Sequence, residues 1–598
     1  MISPTKEELR RKIHILQKKL NRRDLKIKNF KTLIDGIKRN VPGSDEIISI
    51  LENNFGGFTL NLLMHERKCK TLDKQGVRYT NTMKDFSKTL YFYSPKAYAY
   101  VRKLFTLPHP STIRSWISSF KCEPGFLTEV FLFLKLEVKD KTWLEDCCLI
   151  FDSMSIRKQL TWEPSKGKYS GNVDFGDVES PDLASEVLVF MVVSLTKRFK
   201  CPIAFFYINK INSSLLSTLL TSAIKQLHEI GIRIWSVTCD GASANVQCFK
   251  KLGCNFDVND IDNFNCKFTV ENNLEVNVMF DACHMIKLAR NALADKKIFK
   301  SEEGNINWMY ISALNDIQNS IGFKFANKLT SRHIYYRNSI MKVNLAAQVL
   351  SSGVADAIQY LKNKREEQFQ NSEATIYFIR QVDRIFDILN SRIPFSTGFK
   401  SPINSGNINT IKAVFEQTIN YLKNLKIHEI PILSSGRKMF AIGFIITMKS
   451  TLCVSYQLLN KSQSPLKFVL TYKMSQDHLE LFFGCVRARG GSNNNPNSVQ
   501  FKNTLRQLLF TKNITVESGN CLNLDLPEGD IIEFRSEKRS LLVEPANTMN
   551  ESELETYLCQ LDSINLGHYV NDILDYIGGY IVRGILNKII CPECIHLL

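Results

Sequence analysis

The chain has 598 residues and carries 77 Lys+Arg against 59 Asp+Glu, a formal charge of +18. A 44% hydrophobic and 23% charged composition is that of globular domains, and it excludes a chiefly disordered chain, a collagen-like repeat or a disulfide-dense mini-protein. Apolar runs such as Val187–Val193 fall far short of the ~20 residues that cross a bilayer, and the first residues hold no apolar signal-peptide core, so no membrane partner is expected. At about 100–200 residues per domain there is room for roughly three to five domains. The 16 Cys are scattered, with one C-x-x-C at Cys591–Cys594, which predicts reduced and mostly buried thiols rather than disulfides.

Residues 1–40 hold 13 Lys/Arg and 4 Asp/Glu, a local charge of 13 − 4 = +9, and the natural partner of such a segment is a polyanion. Thr5-x-x-Glu8 is a capping box. Behind it Leu9, Ile13, Leu16, Leu20, Ile27, Phe30, Ile34 and Ile37 recur at steps of four and three, broken only at Arg23. That heptad seam predicts a basic coiled coil over 1–42 that pairs with a second copy of the chain.

Residues 46–125 read as short helices. Ser94 caps a helix that has Pro95 at its first position, and Pro110 then breaks the chain before a second helix capped by Ser111 or Thr112. Ile113, Trp116 and Ile117 turn inward, while Arg114 and Ser115 face out, a helix-turn-helix pattern with Arg114 and Ser115 as candidate DNA contacts. From about 145 the period changes to that of strands: Cys147–Asp152, Gly171–Gly176, Glu186–Leu195, Arg233–Asp240 and Val276–Asp281, with a helix over Ser214–Ile230. A long helical stretch, about 292–470, follows.

Three of these strands end in Asp, at 152, 240 and 281, and neighbouring strands bring their ends together. A fourth acid, Glu480, stands on a predicted helix whose Leu479, Phe482, Phe483 and Val486 share one face and whose start Ser475 caps. Several carboxylates at one place suit hard divalent cations such as Mg²⁺, which bind oxygen and, as a pair about 4 Å apart, drive in-line phosphoryl displacement. The ordinary alternative for each Asp taken singly is a turn or helix cap.

The stretches Ile150–Lys158, Gly171–Asp177, Thr238–Gln247, Phe280–Asn291, Asn327–His333 and Ser475 through Gly491 resemble the P-element transposase family, which includes THAP-domain-containing transposase-like proteins. The resemblance runs over about 60–515, and Tyr576–Arg583 is similar to the family's C-terminal region. It implies an α/β fold in which an RNase H-like core is interrupted by an all-α insertion and preceded by the coiled coil and the helix-turn-helix domain. The expected parts are a coiled coil at 1–42, a helix-turn-helix domain at 46–125, a first catalytic part at 140–292, an insertion at 293–468, a second catalytic part at 469–515, and a shortened C-terminal region at 516–598.

By the same resemblance Asp152, Asp240 and Glu480 are the catalytic and metal-binding acids, for Mg²⁺ or Mn²⁺. Asp281 is expected to be a structural cap, and the His of Cys283-His284 a satisfied structural residue. The insertion is similar to a guanine-nucleotide-binding domain. There is no G-x-x-x-x-G-K-[ST] loop, and Lys328, Asp387, Asn390 and Asp477 are the candidate contacts to GTP. Lys473, Arg487 and Arg489 flank Glu480 and are expected to clamp DNA. No C-x-C…C-x-x-H zinc module precedes Thr5. The function expected is a nuclear DNA transposase that cuts double-stranded transposon ends and joins them to target DNA. The alternative is a domesticated DNA-binding derivative without strand transfer.

Overall fold

The computed structural model describes residues 57–509 apart from 71–76, 119–120, 165, 272, 322–323, 326, 463–464 and 490–494, together with residues 17–18. The expected coiled coil, apart from Gln17 and Lys18, and everything after Leu509 lie outside the described residues.

Four helices come first: α1 (Gly57–Lys70), α2 (Asn81–Tyr93), α3 (Pro95–Leu104) and α4 (Pro110–Ser118). Met83, Tyr98, Leu107 and Ile113 form their buried centre, and the Tyr98 hydroxyl donates to the Pro108 carbonyl at 2.6 Å. Ser94 caps α3 as expected, accepting from the Ala97 N–H at 3.1 Å. α4 differs from expectation at its start. Pro110 opens the helix instead of breaking the chain ahead of it, and His109 precedes it, its Nδ1 accepting from the Ser111 N–H at 3.2 Å. A proline costs nothing at a first helical position, where its missing N–H would have no partner.

After β1 (Gly125–Phe126) and α5 (Thr128–Asp140) the chain enters the main sheet. Its strands are β2 (Asp146–Ser155), β5 (Asn172–Asp174), β6 (Glu179–Leu183), β7 (Glu186–Ser194), β8 (Lys200–Ile208), β9 (Arg233–Cys239), β10 (Lys267–Val270) and β11 (Leu274–Phe280). A two-stranded hairpin, β3 (Thr161–Glu163) and β4 (Lys168–Ser170), stands apart from it. The order is β10-β11-β9-β2-β7-β8-β5-β6, with β1 on β8, so that β2, β9 and β11 run parallel in the middle and β7 and β8 run antiparallel beside β2. Cys147–Phe151 of β2 are all buried, as a strand covered on both faces requires, and β2 runs on past Asp152 to Ser155. β8 was not foreseen, because Pro202 interrupts its apolar run. In the structure Pro202 sits opposite Met191 where the β7–β8 register shifts, a place that tolerates a missing N–H.

Helices α6 (Ser213–Glu229), α7 (Ser243–Lys251) and α8 (Ala282–Lys296) follow strands β8, β9 and β11. The insertion, expected to be all helical, also holds a four-stranded sheet: β12 (Ile298–Ser301), β13 (Gly304–Asn307), β14 (Lys426–Ile427) and β15 (Ile430–Pro431). These strands are too short to carry a readable period. The two-residue turn His428-Glu429 closes one pair, both residues left-handed at φ 46° and 66°, as a turn of that length requires. Around it lie α9 (Met309–Ile321), α10 (Ser331–Ile334), α11 (Val343–Val349), α12 (Ser352–Asn363), α13 (Glu373–Leu389) and α14 (Ile408–Asn424).

The next helix, α15 (Met439–Leu459), is long and apolar enough to cross a membrane, but it is buried along β11. The Thr447 hydroxyl donates to the Phe280 carbonyl at 2.7 Å and accepts from the Phe280 N–H at 2.9 Å, and the Ser450 hydroxyl donates to the Val278 carbonyl at 2.6 Å. This last part of the expected insertion therefore packs on the main sheet itself. Two helices complete the described chain, α16 (Asp477–Arg489) and α17 (Ser498–Leu509).

Candidate active site

The register of the three parallel strands places the acids. Ile150 of β2 lies opposite Thr238 of β9, and Cys239 opposite Phe280 of β11. Asp152 and Asp240 each stand two residues beyond that first pair, and Asp281 follows Phe280 directly, its N–H donating to the Cys239 carbonyl at 2.9 Å. In-register parallel strands put such residues side by side at about 4.8 Å per strand. Asp152 and Asp240 are half-buried, whereas Asp281 is 4% exposed.

Asp281 is a structural cap, as its place at a helix start predicted. Its Oδ2 accepts from the His284 N–H at 2.7 Å and so caps α8, while its Oδ1 accepts from the Gln476 N–H at 3.0 Å. Gln476 also donates from Nε2 to the Phe151 carbonyl at 3.0 Å. These two bonds fasten the start of α16 to the sheet beside Asp152, and Glu480 stands one turn further on. Ser475 does not cap α16: its hydroxyl is buried without a partner, and Gln476 occupies the junction instead.

Burial first, and then the charges of Asp240, Glu480 and Asp281, push the Asp152 carboxyl well above the ordinary carboxylate range. The three expected acids thus act on one another, all with the same sign. One oxygen of each Asp is already held. Asp152 Oδ1 accepts from the Ser153 N–H at 2.8 Å, and Asp240 Oδ1 accepts from the Ala242 N–H at 3.0 Å and from Asn245 Nδ2 at 2.6 Å. Asn245 and Gln476 are positioning residues that the motifs contained but to which sequence reasoning gave no role. The signal for Asn245 was its place in the first turn of the helix that Asp240-Gly-Ala introduces.

A divalent cation fits this site by donor chemistry, since hard ions take carboxylate oxygens, and by its unbalanced negative charge. Among the described residues no group of three His, Cys, Asp or Glu side chains is already gathered closely enough to hold a metal ion. His284 is held neutral, its ring pushed down to about 4 by burial and by the Lys287 charge.

The remaining candidates fall in different places. Arg114 and Ser115 are exposed on α4. Lys473 is not a surface clamp: it is 4% exposed, and its Nζ donates to the carbonyls of Ser194 at 3.2 Å and Lys197 at 2.8 Å, because the loop after β7 needs a buried donor there. Arg489 is half-buried and donates to Gln507 at 3.3 Å, and Arg487, two residues earlier, is half-buried as well. Of the four nucleotide candidates, Asn390 and Asp477 meet through Arg392, which donates to Asn390 Oδ1 at 3.2 Å and forms a buried ion pair with Asp477. Asp387, one turn before Asn390 on α13, is pushed up to about 7 by burial and by the neighbouring Asp383. Lys328 is exposed ahead of α10, and no described contact joins it to the other three.

A parallel β2–β9–β11 core flanked by antiparallel β7 and β8, with acids across the strand ends and a glutamate on a following helix, is the arrangement of RNase H-like transposases. The comparisons agree. Family models match in chain order: the P transposase-like helix-turn-helix domain at 38–116, the TNP-like RNase H N-terminal domain at 122–253, the TNP-like GTP-binding insertion domain at 283–402, and the TNP-like RNase H C-terminal domain at 472–505. DNA transposase THAP9 of Homo sapiens is 27% identical over 99% of this chain and 66% of its own length. The Transposable element P transposase of Drosophila melanogaster is 24% identical over 88% of this chain and 67% of its own length. The chain therefore spans about two thirds of these curated relatives. A solved structure titled Drosophila P element transposase strand transfer complex shares the fold, with a TM-score of 0.63 and 22% identity over 78% of this chain and 98% of that one. The chain belongs to the P-element transposase family.

Proposed function

We propose that this chain is a DNA transposase that cuts and joins strands by metal-dependent phosphoryl transfer, with Asp152, Asp240 and Glu480 as the acids that hold the cations. The observation that carries this reading is the shared register of Asp152 and Asp240, together with the fastening of the Glu480 helix to the same strand ends through Gln476. Bound Mg²⁺ or Mn²⁺ would activate the attacking oxygen and stabilise the leaving one. The chain's own part is to present the acids from a rigid sheet, with Asn245 orienting Asp240 and Asp281 holding α16 in place. Arg114, Ser115, Arg487 and Arg489 belong to this reading as DNA contacts, and Lys473 does not. Pairing of two chains through 1–42 and action on nuclear DNA belong to it as well.

GTP is the proposed ligand of the insertion, in keeping with the description of the domain matched at 283–402. Asp387, Asn390 and Asp477 are its candidate contacts, with Arg392 released from Asp477 on binding. The decisive experiment is Mg²⁺-dependent cleavage of duplex carrying the element's own terminal repeats, with Glu480→Gln as control. Cleavage that survives this change rejects the assignment. Tight DNA binding with no cleavage in either metal selects the domesticated derivative.

A further inference from the structure

The β3–β4 hairpin takes no part in the acidic row, yet it follows directly on the strand that carries Asp152. Its inner side is locked. Glu163 is buried, and Lys502 Nζ of α17 donates to both of its carboxylate oxygens at 2.5 Å, while the Ser170 hydroxyl bonds the Ser498 hydroxyl of the same helix at 3.4 Å. At its base Gly171 has φ +137°, and a Cβ there would stand 2.2 Å from the Gln159 carbonyl oxygen, so no larger residue fits.

Its outer side is the opposite. Trp162 and Tyr169 are direct cross-strand partners whose rings meet edge to face at 5.1 Å, and they are 50% and 59% exposed. This large aromatic pair, held over a buried ion pair, leaves about half of its surface in solvent. The segment itself is more basic than acidic, with Glu123 and Glu179 of neighbouring segments facing two of its lysines. Residues 157–170 carry Arg157, Lys158, Lys166 and Lys168 against Glu163 alone, and Lys502 already balances Glu163. Lys166 pairs with Glu123, and Lys168 lies 3.7 Å from Glu179 at the edge, while Lys158 is exposed.

We infer that this hairpin is a stacking element that holds an unpaired base of the DNA strand on which the acidic row acts. The inference rests on the DNA reading of the preceding subsection. Aromatic faces take any base, and a cationic rim takes the phosphates on either side, which together favour a single-stranded polyanion over a protein partner. Trp162 follows Asp152 by ten residues, a span of at most ~35 Å, which is about one turn of duplex.

The test compares the affinity of the full chain for a blunt duplex and for the same duplex with a short single-stranded oligothymidine overhang. Trp162→Ala weakens overhang binding roughly tenfold and leaves the blunt duplex within about twofold, and Trp162→Phe restores most of the loss. Equal losses on both probes, or none on either, overturn the stacking role while leaving the DNA reading intact. A wild-type chain that binds neither probe overturns both.

Discussion

The backbone N–H of Gln476 donates to Asp281 Oδ1 at 3.0 Å, joining two residues 195 positions apart. The same carboxylate caps α8, so one side chain ties the end of β11, the start of α8 and the start of the Glu480 helix together. Asp281→Ala removes a helix cap, worth about 0.5–2 kcal/mol, and leaves a buried N–H unpaired at about 1–3 kcal/mol. Chemical denaturation should therefore show a loss of roughly 2–4 kcal/mol, with strand cleavage falling alongside it. If Asp281 were a metal ligand and not a cap, its removal would leave stability nearly unchanged in the absence of metal.

Asp152 sets a pH dependence. Its carboxyl is raised by burial and by Asp240 and Glu480, so the folded chain binds its proton more tightly than the unfolded chain does. The stability this proton contributes is fully present below about pH 4, the unfolded value, and is lost as pH rises through the raised folded value. Asp152→Asn should raise the melting temperature near pH 8 and leave it unchanged near pH 4. Millimolar Mg²⁺ should raise the wild-type melting temperature at pH 8 and have little effect on the variant. A variant that melts below the wild type at pH 8 would contradict the like-charge account.

Lys473 and Arg114 should separate structure from binding. Lys473→Ala removes a buried donor from two carbonyls and should cost about 1–3 kcal/mol of stability, without changing the salt dependence of DNA affinity. Arg114→Ala on the exposed face of α4 should leave melting unchanged and reduce the slope of log affinity against log salt by about 1. Exchanged outcomes would return Lys473 to the DNA surface.

The pair Arg392–Asp477 is buried, and removing one partner leaves a charge stranded. Arg392→Ala should cost roughly 3–5 kcal/mol in a denaturant melt, and the double change Arg392→Ala with Asp477→Leu should recover much of it. GTP measured by calorimetry should lose affinity in Asp387→Ala and Asn390→Ala. Binding that is unaltered in both would remove these residues from the nucleotide site.

Gly443 of α15 faces Met285 of α8, and a Cβ there would stand 2.1 Å from the methionine sulfur. Gly443→Ala gains about 1 kcal/mol of helix propensity but overpacks a closed contact at about 1–3 kcal/mol. The expected result is net destabilisation, growing sharply in Gly443→Val, and Met285→Ala should relieve it.

Much of this was legible in the residues. Apolar runs ending in Asp announced the parallel strands, because a strand buried on both faces has to be apolar throughout and its polar residues collect at the ends. Glu480 could be placed on a helix from the Leu479, Phe482, Phe483 and Val486 spacing. The two hydrogen bonds of Gln476 were not legible, since they depend on the approach of segments far apart in sequence. Lys473 misled for a related reason: a lysine in a charged neighbourhood reads as exposed unless the carbonyls of another loop are known to surround it. β8 was hidden by Pro202, and the strands of the insertion by their brevity.

The wide sequence gap between Asp240 and Glu480 also has a temporal consequence. A chain still being made on the ribosome displays both aspartates early but has no third acid until the insertion and α15 have been synthesised. No nascent fragment short of α16 holds all three acids, so under the proposed assignment the site is completed only late in synthesis, after the bulk of the chain around it has had time to fold.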